Sequence, residues 1–215
     1  MTGSTPPRAP RRSNSHQTTQ RWRWYHGLAF YLIAQVLTFG LQGLVTFARA
    51  NGKKTFREAL KFDRDFYTGQ KQPKFAPPPW LFGPAWTVNN LSVIYGNLRV
   101  MNMPETTEGR DAYLKLQALS WLDYLIFTPS CFGLRSNVNG AVVTISMFGL
   151  TIASLFVSIF KLKDSRVALS LATLFIWLTL ASALAATITL WNRDELYNVG
   201  PFVEPSPALT KVRTD

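Results

Sequence analysis

Cysteine is almost missing from these 215 residues: Cys131 stands alone, and His16 and His26 are the only histidines. One cysteine excludes an intramolecular disulfide scaffold, and so few soft ligands cannot assemble a His/Cys zinc site within one chain. Acid is scarce as well. Twelve Asp and Glu face 23 Lys and Arg, for a net charge of +11, and no acid precedes Glu58. The chain also lacks a P-loop, a dinucleotide fingerprint, a nucleophile elbow and a paired-carboxylate arrangement, so nucleotide and hydrolase chemistry have no support. Mean hydropathy is only +0.03, the value of an ordinary soluble domain. That average conceals long apolar blocks separated by charged connections, the layout of a small multi-span membrane protein.

The apolar blocks predict an all-α fold, a five-transmembrane-helix bundle. Residues 1–24 carry Arg8, Arg11, Arg12, Arg21 and Arg23 among Pro, Ser, Thr and Gln, and read as a disordered basic tail; a transit peptide shares that composition. Residues 25–192 form the membrane domain, with spans expected at about 27–48, 80–101, 112–131, 139–160 and 167–191. The first is free of formal charge. The third carries Lys115 and Asp123, each costing roughly 3 kcal/mol at the centre of a span. Lys115 can snorkel, whereas Asp123 is expected to face the bundle interior and pair with Asn89, Asn90 or a nearby Thr. Phe56, Ala59, Leu60 and Asp63 follow helical spacing and predict a short surface helix, ended by the run Pro77, Pro78, Pro79. Residues 193–215 are read as a polar C-terminal tail. With five spans, 11 Lys and Arg fall on the amino-terminal side and 12 on the other, which leaves orientation open. The positive charge has no folded basic domain to carry it, so it points to anionic lipid and not to nucleic acid.

Seven Trp, seven Tyr and fifteen Phe supply many flat, rigid faces. Trp22, Trp24, Tyr25 and Trp191 sit at span ends, where an aromatic belt is expected. Rings further inside suit a slot for a planar apolar ligand. The most specific stretch runs from Phe66 to Thr87: Phe66, Tyr67, Pro73, Phe75, Pro77, Pro78, Trp80, Phe82, Gly83, Pro84, Trp86 and Thr87. It resembles the first loop and second span of the TspO/MBR family, the tryptophan-rich sensory protein or translocator protein family. A second ungapped match is Asp123 to Arg135, with Thr128, Pro129, Phe132, Gly133 and Arg135 agreeing in type. A third, looser match in the last span uses Trp177, Ala181 and Leu184.

The resemblance implies a ligand cavity capped by the first loop and lined by Phe75, Phe82, Gly83, Trp86, Phe127, Trp177, Ala181 and Leu184. It implies a tetrapyrrole, a porphyrin or haem-type molecule, ahead of a sterol, held without a covalent cofactor for sensing or transport. Light-dependent tetrapyrrole breakdown, the family's enzymatic extension, would rest on Trp86 and Trp177. The family's polar cavity positions are changed here: Asn90, Tyr124, Phe127, Thr173, Leu174 and Ala185 stand where it carries other residues. The alternative role is therefore a ligand-free accessory subunit of a larger membrane complex. A homodimer is the other association expected, with Gly40 and Gly43 as small packing residues in the first span.

Overall fold

The computed structural model describes residues 21–53, 55–60 and 64–211. The expected basic tail therefore lies, apart from residues 21–24, outside the described residues. Inside a bilayer an apolar segment can satisfy its backbone only within itself, so apolar runs of this length become helices. Among the described residues seven α-helices result: α1 (Trp24–Ala50), α2 (Phe56–Ala59), α3 (Arg64–Thr68), α4 (Pro79–Met101), α5 (Arg110–Thr128), α6 (Asn137–Phe156) and α7 (Ser165–Trp191). Two of them continue into single π-helical turns, Pro129–Gly133 after α5 and Val157–Lys161 after α6. All five stretches expected to be spans are helical. Trp24–Ala50, Asn137–Lys161 and Ser165–Trp191 are long and apolar enough to cross a membrane. The other two long helices are more polar, because α4 carries three asparagines and α5 carries Lys115, Gln117 and Asp123.

Local sequence explains the helix ends. Pro79 occupies the first position of α4, where its missing N–H costs no bond, and Pro78 is extended before it. The Ser136 hydroxyl caps α6 by accepting from Asn139 N at 3.1 Å. Gly109 starts α5 from a left-handed conformation (φ +81°).

Helix α6 packs between α5 and α7, α4 lies against α7, and α1 closes onto α5 and the turn after it. Tyr31, Val93, Tyr113, Trp121, Met147, Leu171 and Leu178 meet in the main core. Polar pairs cross it: Gln117 Nε2 donates to Ser154 Oγ at 2.8 Å and Ser92 Oγ to Ser170 O at 2.7 Å. The pairing expected for Asp123 is not made. No hydrogen bond joins it to Asn89 or Asn90, and its Oδ2 is buried without a hydrogen-bond partner. At position 124 the tyrosine takes the inward direction, which leaves the neighbouring carboxylate off the polar network.

The surface helix is shorter than expected. Helix α2 spans only Phe56–Ala59, and Asp63 lies outside the described residues. Leu60 instead docks on α1 at Gly43, where a Cβ would lie 2.5 Å from Leu60 Cδ2.

At the end of the bundle where α1 begins, Arg99 Nε of α4 meets Asp164 Oδ2 at 2.7 Å, and Asp164 Oδ1 caps α7 by accepting from Arg166 N and Val167 N. Burial raises the Asp164 carboxyl's pKa, but Arg99 and these amides outweigh it and hold the group below its ordinary range. Arg99→Ala is expected to cost about 1 kcal/mol and no more, because a partly exposed pair is screened by solvent. Thermal unfolding in detergent at low and high salt checks this; the loss should shrink in high salt.

The other end departs most from expectation. The chain after α7 is folded back over the first loop, and Trp191, expected in an exposed belt, is buried there. Trp22, Trp24 and Tyr25 are exposed, as belt residues are. Lys74 N donates to Leu209 O at 2.9 Å and Lys211 N to Gln72 O at 2.8 Å, around an antiparallel bridge between Pro73 and Thr210. Asn192 clamps the main chain of Lys71 from both sides, accepting at 2.7 Å and donating at 3.0 Å. Asp194 is buried and accepts from Ser136 Oγ, Val138 N, Leu196 N and Tyr197 N. A run read from composition as polar tail is a strap, because its polar groups are used on partners elsewhere in the chain.

Candidate functional site

Between the helices, toward the strapped end, lies a partly open cavity of about 430 Å³. Helix α4 contributes Phe82, Gly83 and Trp86, α5 contributes Tyr124 and Phe127, and α7 contributes Trp177, Ala181 and Leu184. Phe66 and Tyr67 of α3 form the roof, and Gln35 and Thr38 of α1 form one wall. The spacing on each helix accounts for this. Residues 82, 83 and 86, and residues 177, 181 and 184, are three or four apart and share one face.

The rings meet edge to face. Phe82 stands against Trp177 (centroids 5.5 Å apart), Trp177 against Trp86 (6.5 Å), and Trp86 against Tyr124 (5.5 Å). This arrangement is favourable for aromatic quadrupoles and leaves flat faces available on one side. Tyr67 packs on Phe82 at 5.3 Å and its hydroxyl donates to Pro77 O at 3.1 Å, so one residue fixes the roof to the polyproline run. Burial pushes the Tyr67 phenol up to about 12, so it stays protonated and keeps donating at neutral pH.

A chain of polar groups runs along one wall. Tyr124 Oη donates to Gln35 Oε1 at 2.8 Å, Gln35 Nε2 donates to Tyr31 Oη at 2.7 Å, and Tyr31 Oη reaches Thr87 Oγ1 at 3.4 Å. A mostly aromatic and aliphatic cavity thus has a hydrogen-bonding wall, and Asn137 Nδ2, donating to Gln70 Oε1 at 3.2 Å, adds a second polar pair elsewhere in the lining, a chemistry that orients an amphipathic or polar-edged ligand.

Seven of the eight residues named from sequence lie together on the cavity wall: Phe82, Gly83, Trp86, Phe127, Trp177, Ala181 and Leu184. Phe75 does not. Ala76 N donates to Pro73 O at 2.9 Å, closing a turn that places Lys74 and Phe75 at its outer corner, and Phe75 is 49% exposed. Ala76 and Pro73 take the inward places instead. Gln35, Thr38 and Asn137 line the cavity without having been named, as does Tyr124, one of the changed family positions. A signal existed for Gln35, one of two amides in an otherwise apolar span, since such groups face the interior. Cys131 is also on the wall, beside Gly140.

Comparison with known proteins supplies the relationship. The family model described as "TspO/MBR family" matches residues 34–191. The chain is 31% identical over 128 residues to "Tryptophan-rich protein TspO" of Archaeoglobus fulgidus, covering 59% of this chain and 80% of that protein. It is 28% identical over 153 residues to "Tryptophan-rich sensory protein" of Cereibacter sphaeroides, covering 70% and 93%. To "Protein CrtK" of Rhodobacter capsulatus it is 27% identical over 130 residues, covering 60% and 80%. With its cavity at the loop-capped end of an apolar helix bundle, this integral membrane protein belongs to the TspO/MBR family.

Proposed function

We propose that the protein binds a planar apolar ligand in the cavity beneath the first loop, a tetrapyrrole of the porphyrin type, for sensing or transport. The observation that carries this reading is the combination of volume and lining. A cavity of about 430 Å³ walled by Phe82, Trp86, Phe127 and Trp177, with the hydrogen-bonded Tyr124–Gln35 pair on one wall, has the composition of a site for a flat molecule with a polar edge. Ring faces stack on the macrocycle, and the Tyr124–Gln35 wall is placed to meet polar substituents. The aromatic rings serve as surface and not as reactive groups in this proposal.

Quenching of tryptophan fluorescence by protoporphyrin IX on detergent-purified protein tests it. Saturable micromolar binding is expected, weakened at least tenfold in a Trp86→Leu, Trp177→Leu double variant, a loss of about 1.4 kcal/mol. Gly83→Leu adds an independent arm. No atom lies within 4 Å of a Cβ built at Gly83, so the larger side chain fills cavity space without a clash and should block binding while leaving unfolding unchanged. Linear quenching, equal in all three proteins, would overturn the proposal and favour the accessory-subunit role, to be sought as a stable high-mass assembly after mild extraction.

A further inference from the structure

Helix α7 has 27 residues, about 40 Å at 1.5 Å per residue, against a hydrocarbon core of roughly 30 Å. Its last turn therefore reaches the boundary between acyl chains and headgroups. The chain does not leave from there into water. Phe202 N and Val203 N both donate to Leu190 O, at 2.8 and 3.0 Å, so these two residues lie alongside the final turn of the helix. Their side chains find no cover in the protein: Phe202 is 60% exposed, and Leu209, further along the segment, is also 60% exposed.

We propose that residues 196–211 dock into the interfacial layer of the bilayer, with lipid as the partner of this uncovered apolar face. Three features select lipid. The face is continuous with the lipid-facing side of α7, where Leu190 is exposed, and Trp80 at the first turn of α4 presents a 71% exposed ring at the same end of the bundle. Several main-chain donors of the segment already have acceptors, Leu196 N and Tyr197 N on Asp194 Oδ1, Phe202 N and Val203 N on Leu190 O, Leu209 N and Thr210 N on Ser206 O and Lys211 N on Gln72 O, so these groups lose no hydrogen bond to water on entering a less polar layer. Lys71, Lys74 and Lys211 are exposed on or against the same segment, placing ammonium groups where phosphates lie. The docking is independent of whether the cavity holds a ligand.

Spin labelling of the full chain in nanodiscs holding one protomer tests the assignment. In a Cys131→Ala background, labels are placed singly through Phe202→Cys, Leu209→Cys and, as an aqueous reference, Glu105→Cys in the connection between α4 and α5. Labels at 202 and 209 are expected to collide preferentially with oxygen, and the label at 105 with a water-soluble nickel chelate. Wild-type protein provides a readout free of substitutions: trypsin cleavage after Lys211 should be roughly fivefold slower in anionic than in zwitterionic nanodiscs. Nickel accessibility at 202 and 209 equal to that at 105 would overturn the proposal. So would protection that arises only with two protomers per disc, which would assign the face to a second copy of the chain.

Discussion

Asp194→Ala is expected to lower stability by about 3 kcal/mol and to free the strap from the bundle. The carboxylate is 1% exposed. It collects Ser136 Oγ at 2.8 Å, Val138 N at 2.9 Å, Leu196 N at 3.0 Å and Tyr197 N at 2.9 Å. These donors come from the start of α6 and from the chain after α7, so one side chain joins segments more than fifty residues apart. Alanine would leave all four without their acceptor, the Ser136 hydroxyl in a buried place and the three amides in partly buried ones. Burial by itself raises the pKa of Asp194, but the four hydrogen bonds outweigh it and hold the carboxyl below its ordinary 3.8. A folded pKa below the unfolded one means that the stabilisation is fully present above about pH 4 and is lost as pH falls through the lowered folded value. Wild-type protein should therefore loosen at this end in acid, whereas the alanine variant should be loose already at neutral pH and show no such acid limb. Hydrogen exchange at the Val138, Leu196 and Tyr197 amides measures both effects. Unchanged protection in the variant would show that the network does not hold the strap.

Gly96→Leu is expected to cost about 3 kcal/mol through overpacking where α4 crosses α7. A Cβ at position 96 would strike Ser170 Oγ and lie 3.1 Å from Ser170 Cβ and 3.3 Å from Tyr113 Oη. The serine cannot simply yield, since Ser170 Oγ donates to Val167 O at 2.7 Å and its carbonyl accepts from Ser92 Oγ at 2.7 Å. Gly96→Ala is milder. The higher helix propensity of alanine, about 1 kcal/mol over glycine, offsets part of the contact cost. Combining it with Ser170→Ala should restore wild-type stability, because the second change removes the oxygen that the first would strike. Unfolding in mixed micelles gives the four values of this double-mutant cycle. A leucine variant as stable as wild type would mean that α4 and α7 do not approach closely here.

Much of the molecule was readable before any coordinates. The long helices lie where the apolar runs lie, because an apolar stretch with no water around it must bond its backbone within itself. The signature from Phe66 to Thr87 located the α4 wall, since proline, glycine and aromatic residues there act through their own backbone limits and shapes. Trp177, Ala181 and Leu184 were legible for a related reason: their spacing puts them on one helix face. Misses occurred where direction depends on a tertiary partner. Phe75 was assigned inward from its motif position, yet the turn between Pro73 and Ala76 rotates it out. Asp123 was assigned to a polar pair, yet Tyr124 took the inward direction and the bond to Gln35, 89 residues away.

The strap was the largest surprise, and composition could not have revealed it. A segment rich in Pro and charged residues looks solvated when read alone. Its carboxylate, amides and main chain find acceptors and donors at residues 71–76 and 136–138, brought close only when α6 and α7 pack side by side. By itself, then, the sequence determined the helical class, the positions of the helices and the family, because these follow from local periodicity and from motifs that act through short-range geometry. Only the tertiary structure decided which rings face the cavity, how the polar wall is assembled and where the chain after α7 goes. Those outcomes depend on contacts between residues far apart in the chain, whose free energy no local pattern records.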